Sequence, residues 1–186
     1  MAPAAVPPLI ERPLAPLTDG EIVLRLFEEH DVPALLAAAR DRDIPRLTNL
    51  PELESEEWVR AWLERVAELW RDGARANFAV ADAASNELLG SIGLRLVDGN
   101  GQIWYWTLPV ARGRGAATRA LRLLSGWAFD DLGLTRVQLL AEPENEASQR
   151  VAAKAGFQRE GLLRSYFELK GRRADGLMYA RLRDDP

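Results

Sequence analysis

Apolar residues recur along this chain in two rhythms, and the switches between them mark out the elements. Ile22-Val23-Leu24-Arg25-Leu26 alternates as a strand does, and Asp31 with Pro33 then opens a short helix through Leu35, Leu36 and Ala39. Pro45 and Pro51 bracket a loop. Ser55 followed by Glu56 and Glu57 places an N-cap and two acids at a helix start, where unpaired amides and the positive dipole end favour them. Trp58, Ala61, Trp62, Val66 and Leu69 follow at helical spacing and predict one shared apolar face. Residues 77–81 and 88–97 read as a hairpin across a polar turn, and Asp98-Gly99-Asn100-Gly101 turns the chain into an aromatic-rich strand at 102–108. Three antiparallel strands in a row are predicted.

The rhythm then changes. A helix after Gly115 has an inner face of Ala120, Leu121, Leu124, Trp127 and Ala128 and stops at Gly133. Residues 136–141 form an apolar strand, 145–155 a second helix, and Gly156 stands where a helix end favours a left-handed residue. Strands around 162–169 and 177–182 complete an α+β layout. Five prolines interrupt residues 1–20, which read as a flexible or polyproline-like tail rather than a signal peptide or membrane span, ahead of one domain over 21–183.

Composition narrows the chemistry. A chain of 186 residues that is 47% hydrophobic and 28% charged supports one packed domain. Without cysteine there is no disulfide, thiolate metal site or cysteine nucleophile, which agrees with a reducing cytoplasm. The single histidine, His30, has no second histidine for a triad or a multi-histidine metal site, and no metal is expected. A net charge of −4 argues against non-specific DNA or RNA binding, which needs clustered cations to displace phosphate counterions.

The informative stretch is Arg112-Gly113-Arg114-Gly115-Ala116-Ala117, between a strand and a helix. A helix start offers unpaired N–H groups to an anion such as a pyrophosphate, glycines permit unusual backbone angles, and alanines keep the surface low. A Walker loop needs Gly-Lys-Ser or Gly-Lys-Thr, and Gly115 is followed by alanine. A dinucleotide fingerprint needs a parallel βαβ unit, whereas the preceding strands form an antiparallel meander.

This loop resembles the Arg/Gln-x-x-Gly-x-Gly/Ala coenzyme A loop of the GNAT N-acetyltransferases. Tyr105-Trp106-Thr107-Leu108-Pro109 resembles that family's fourth strand; Asn145-Glu146-Ala147-Ser148, Val151 and Lys154-Ala155-Gly156-Phe157 are similar to its fifth-strand and fourth-helix segment. Glu160-Gly161-Leu162-Leu163-Arg164 is similar to the Rim-type branch that acetylates ribosomal-protein alanines. The motifs span residues 102–164, with the other elements in family order.

The resemblance implies a GNAT acyl-CoA N-acyltransferase fold, with a mixed, mostly antiparallel sheet of about seven strands, about four helices, and a splay between the fourth and fifth strands. It implies acetyl-CoA as cosubstrate and a primary amine, on a protein N-terminus or a small molecule, as acceptor. A homodimer is common among similar proteins. Leu108 and Val110 would bind the pantetheine arm, with the Leu108 amide polarising the thioester carbonyl. Arg112, Gly113, Arg114, Gly115, Ala116 and Ala117 would hold the pyrophosphate. Asn145 reads as a pantetheine ligand, a helix cap, or both. Ser148 reads as the hydroxyl beside the coenzyme sulfur or as a locally bonded helix-start residue.

Departures from the pattern matter too. Ala152 replaces the tyrosine that often serves as general acid, and Gln102 stands where many relatives carry glutamate. Glu142 is the leading substitute base, against an equal reading as a solvated carboxylate; Tyr166 ranks below it. Lys154 and Arg150, one helical turn apart, suit the coenzyme 3′-phosphate or a solvated cationic face. Trp58, Trp62 and Trp70 suit core packing more than an acceptor wall. A non-catalytic acyl-CoA-binding module is the alternative these departures motivate, and an RNA-associated protein using Arg112 and Arg114 is disfavoured by charge.

Overall fold

Phe78 and Val80 point to one side of their strand and Ala79 to the other, and this alternation divides the core into two clusters on opposite faces of one sheet. The computed structural model describes residues 10–48, 50–51 and 54–185. Its elements in chain order are β1 (Leu17–Thr18), β2 (Ile22–Arg25), α1 (Val32–Ala39), α2 (Ile44–Leu47), α3 (Glu56–Arg71), β3 (Arg75–Asp82), β4 (Leu88–Val97), β5 (Asn100–Thr107), α4 (Ala116–Asp130), β6 (Arg136–Ala141), α5 (Glu146–Lys154), β7 (Gln158–Leu169) and β8 (Arg172–Leu182). The eight strands lie in the order β1-β2-β3-β4-β5-β6-β8-β7, every pair antiparallel except β5 with β6. The α+β class and mostly antiparallel sheet are as expected, with one more strand and one more helix.

The inner face of α4, Ala120, Leu121, Leu124, Trp127 and Ala128, is buried as its spacing predicted, and packs with Ile92, Leu94, Ile103, Val137 and Leu139. On the opposite face Val32, Leu35, Ala38 and Val59 from α1 and α3 cover Ala79, Leu88, Trp106 and Leu108. Edge-to-face contacts of Phe78 with Trp70, at 4.6 Å between ring centroids, and with Trp127, at 5.6 Å, tie the end of α3 to α4.

Three expectations are corrected. The buried face of α3 runs through Val59, Val66 and Trp70, with Trp62 and Leu63 half-buried, while Trp58 is 59% exposed and Ala61 is exposed. Helical spacing identifies a stripe, but its phase is set by what lies opposite, here α1 and β3. The expected loop from Pro45 begins inside α2, where Pro45 lies in the first turn and its missing N–H costs nothing. Of the expected tail, residues 1–9 lie outside the described residues, while Ile10 and Leu17–Thr18 pack against the domain. Ile10 is buried and donates its N–H to Gly73 O at 3.1 Å, and Leu17–Thr18 pairs with β2. Prolines do not prevent packing where apolar residues between them find a sheet edge.

His30 proves structural. Arg25 binds buried Asp31 through two hydrogen bonds of 2.7 and 3.0 Å and donates its Nε to Asn86 Oδ1 at 2.6 Å, joining β2, the start of α1 and the β3–β4 turn. His30 lies at the rim of this cluster, 3.2 Å from Glu28.

The corrected phase of α3 yields a test. Trp70→Ala should destabilise the fold by about 3–5 kcal/mol, and Trp58→Ala by no more than about 0.5 kcal/mol. Equilibrium urea denaturation of the two variants separates them.

Candidate functional site

The parallel pair β5–β6 is short of partners. Its register covers Gly101↔Val137, Gln102↔Gln138 and Ile103↔Leu139, and beyond Ile103 the rest of β5 pairs only with β4. The two strands therefore splay apart at the end of β5 that leads into the glycine loop, where the family resemblance put the opening.

Backbone polarity along that open edge corrects one assignment. The Leu108 N–H donates to Leu89 O at 2.8 Å, so it belongs to the β4–β5 ladder and faces away from the splay. Backbone groups alternate sides along a strand, so the N–H and C=O of Thr107 and Tyr105 face β6 instead. Leu108 itself is buried among α1 and α3 side chains. The sequence motif located the strand end but not its phase. Val110, in a single 3-10 turn over Pro109–Ala111, is 68% exposed.

The loop after that turn is built to leave amides free. Gly113 and Gly115 have φ of 77° and 83°, conformations that side-chain-bearing residues seldom adopt, and Gly115 is the N-cap of α4 with no side-chain cap. The first closed helical bond is Arg119 N–H to Gly115 O at 3.0 Å, so the amides of 113–118 find no partner among the described residues. No acid lies in the first turn of α4, Ala116 is buried and Ala117 is half-buried. Six amides stand at the positive end of a 15-residue helix, an arrangement that suits an anion.

The cations around it are less free than their sequence suggests. Arg112 donates to Asp41 Oδ1 at 2.8 Å and lies 3.6 Å from Asp43 Oδ2, so it pins the α1–α2 connection to the glycine loop. Arg119 is paired with Asp19 at 2.7 Å. Arg114 is exposed and forms no ion pair among the described residues. Lys154 sits at the far end of α5, its carbonyl taken by Arg122, which is two helical turns or roughly 10 Å along α4 from Gly115. Arg150 pairs with Glu146 at 3.1 Å on an exposed face.

Across the splay, Asn145 caps α5. Its Oδ1 accepts the Ser148 N–H at 3.0 Å, so the capping role is real, and Ser148 is held in the first turn. The Ser148 side chain does not bond locally: its Oγ lies 2.8 Å from the hydroxyl of Tyr105 on β5. Burial, with a smaller contribution from Tyr179, pushes the Tyr105 phenol up to about 12 against the lowering effect of Ser148. Sequence reasoning missed Tyr105 as a functional group; its place within the strand motif, facing away from Trp106, was the available signal. Ala152 is buried in the core.

Glu142, just past β6, is buried and bound by the Arg172 guanidinium. It anchors the β7–β8 hairpin, whose Lys170 Nζ in turn donates to Leu50 O at 2.8 Å. Gln102 accepts from Arg95 at 3.2 Å, and Tyr166 is half exposed on β7, its carbonyl accepting from Arg173 at 3.1 Å. Among the described residues no cluster of His, Cys, Asp or Glu could hold a metal ion, and no helix is long and apolar enough to cross a membrane.

Comparison with known proteins places the chain by family and fold. The profile of the acetyltransferase (GNAT) domain matches residues 21–158. The chain is 28% identical over 165 residues to a Bacillus licheniformis protein named Uncharacterized N-acetyltransferase p20, covering 87% of this chain and 93% of that one. The fold is similar to Mycobacterium smegmatis RimJ solved in complex with CoA-disulfide, with TM-score 0.78 and 23% identity over 91% of this chain and 87% of that one. It is also similar to Vibrio cholerae spermidine N-acetyltransferase in complex with CoA and spermine, with TM-score 0.74 and 22% identity over 90% of this chain and 98% of that one.

The Arg112–Asp41 link can be tested by pH. Burial alone would raise the Asp41 carboxyl, but the Ile44 amide, Arg112 and the Asp43 amide outweigh it and hold it below its ordinary 3.8. A depressed carboxyl stabilises the fold fully above its unfolded value and loses that contribution as pH falls through the folded one. Asp41→Asn should cost about 0.5–1 kcal/mol at pH 7, with the two stabilities converging in acid. Urea midpoints measured against pH check this.

Proposed function

The chain belongs to the GNAT acetyltransferase family, and from that premise we propose that it moves the acetyl group of acetyl-CoA directly to a primary amine, on a protein N-terminus or a small molecule, within a ternary complex. The observation that carries the reading is the row of unpartnered amides at 113–118 next to a sheet that opens beyond Ile103. Those amides suit the coenzyme pyrophosphate, and the two left-handed glycines keep side chains out of its way. That RimJ and the spermidine enzyme were each solved with a coenzyme A species supports the same cosubstrate here.

On this reading the pantetheine arm enters the splay and bonds to the open edge of β5. The amide of Thr107 or Tyr105, rather than that of Leu108, meets the thioester carbonyl as oxyanion charge develops. The amine attacks in its neutral form from a bound position, which removes most of the entropic barrier to the encounter. Ser148 lies by the departing sulfur at the start of α5, whose positive dipole end also favours a thiolate. Glu142 carries no base role in this account, since Arg172 occupies its carboxylate.

Calorimetry with acetyl-CoA, followed by thiol-release assays over amines and N-terminal peptides, tests the proposal; binding without turnover on the whole panel would sink it. Gly115→Asp sets a carboxylate against the pyrophosphate at a backbone angle that side-chain-bearing residues seldom adopt, and should weaken coenzyme binding at least about tenfold. Unchanged affinity in that folded variant would remove the loop from the site. Ser148→Ala should lower kcat by about tenfold with KM for acetyl-CoA within about twofold, as expected for a contact made mainly in the transition state.

A further inference from the structure

Between Tyr105 and Ser148 there are three oxygens and two hydrogens to place. Tyr105 Oη lies 2.8 Å from Ser148 Oγ and 3.2 Å from Ser148 O. If the phenol donates to the carbonyl, the serine hydrogen is spent on the phenol oxygen. If the phenol donates to Ser148 Oγ, the shorter contact, the serine hydrogen is free to turn into the splay. The strand side of this pair is fixed by the β4–β5 register and the helix side by the Asn145 cap, so neither oxygen is free to drift.

We infer that Tyr105 is a positioning residue for acetyl transfer, donating its hydrogen bond to Ser148 Oγ so that the serine hydroxyl is turned toward the coenzyme sulfur as the thiolate leaves. The inference rests on the acetyltransferase reading above and adds to it a residue on the opposite wall of the site. Ala152 leaves α5 without a phenol of its own at that helix position, and the strand supplies one instead.

Tyr105 acts without giving up its proton. Burial holds its phenol at about 12, whereas an ordinary thiol titrates near about 8.5, so handing the phenolic proton to the thiolate would run uphill by roughly three orders of magnitude. The step balances without it. The amine lone pair forms the C–N bond, the C–S bonding pair departs on sulfur, and the nitrogen sheds one proton to solvent; Ser148 and Tyr105 keep theirs. The other titratable group facing the pair is Tyr179 of β8, whose hydroxyl donates to Gln149 Oε1 at 3.4 Å.

The test uses coenzyme A itself, bound to the full chain, with the ultraviolet absorbance of its thiolate followed against pH. Tyr105→Phe, which keeps the buried ring, should raise the bound thiol pKa by about half to one unit and lower kcat about five- to tenfold. Its KM for acetyl-CoA should stay within about twofold of the wild type. Ser148→Ala should give the same shift, and the double variant no more than the serine variant alone. A Tyr105→Phe protein with wild-type thiol pKa and kcat overturns the inference, as does full additivity with Ser148→Ala. Loss of the basic limb of the kcat profile in Tyr105→Phe would also overturn it, by making the phenol a proton donor. Failure of wild-type protein to bind coenzyme A is a different result and brings down the acetyltransferase reading itself.

Discussion

Backbone amides need partners, and the site exists where this fold withholds them. Through most of the sheet each strand is paired along its length, but β5 and β6 run together for three residues and then part. The next segment enters a helix without a side-chain cap, through two left-handed glycines. Both features leave N–H groups without a partner among the described residues, and the diphosphate and amide-rich arm of the proposed ligand would satisfy them. An unpaired buried amide costs on the order of 1–3 kcal/mol, so such a row persists only where water or a ligand reaches it.

The surrounding elements hold that space open from far apart in the chain. Arg112 ties the glycine loop to Asp41, whose Oδ1 also accepts the Asp43 and Ile44 amides leading into α2 at 2.9 Å each. Lys170 reaches Leu50, and Arg172 reaches Glu142, so the β7–β8 hairpin is fixed both to the segment before α3 and to the end of β6. Glu142, the carboxylate that sequence reasoning recruits for proton transfer, is thereby engaged in architecture. The part-buried hydroxyl pair joins β5 to the start of α5.

How residues read in isolation depended on how local their chemistry is. The glycine loop was legible because left-handed turns and a bare helix start are properties of a few consecutive residues; so were the Ser55 and Asn145 caps and the inner face of α4. The Leu108 amide and the phase of α3 were not. A strand's two edges are identical in sequence, and only the neighbour that takes one of them decides which amides remain free. Similarly, Val59 and Trp58 differ by one position, and the burial of the first over the second was settled by α1 and β3 lying across the helix.

The sequence by itself determined the order of most elements, the α+β class and the bare glycine-rich helix start, because propensity, capping and glycine conformation act over a few residues. Tertiary structure alone decided that Leu17–Thr18 pairs at the sheet edge, that Arg112 and Glu142 are already paired, and that Tyr105 meets Ser148 across 43 residues of chain. Those outcomes depend on distances between segments that no local pattern encodes. They follow only once two faces of one sheet have been covered and the remaining polar groups have taken whatever partner lies within reach.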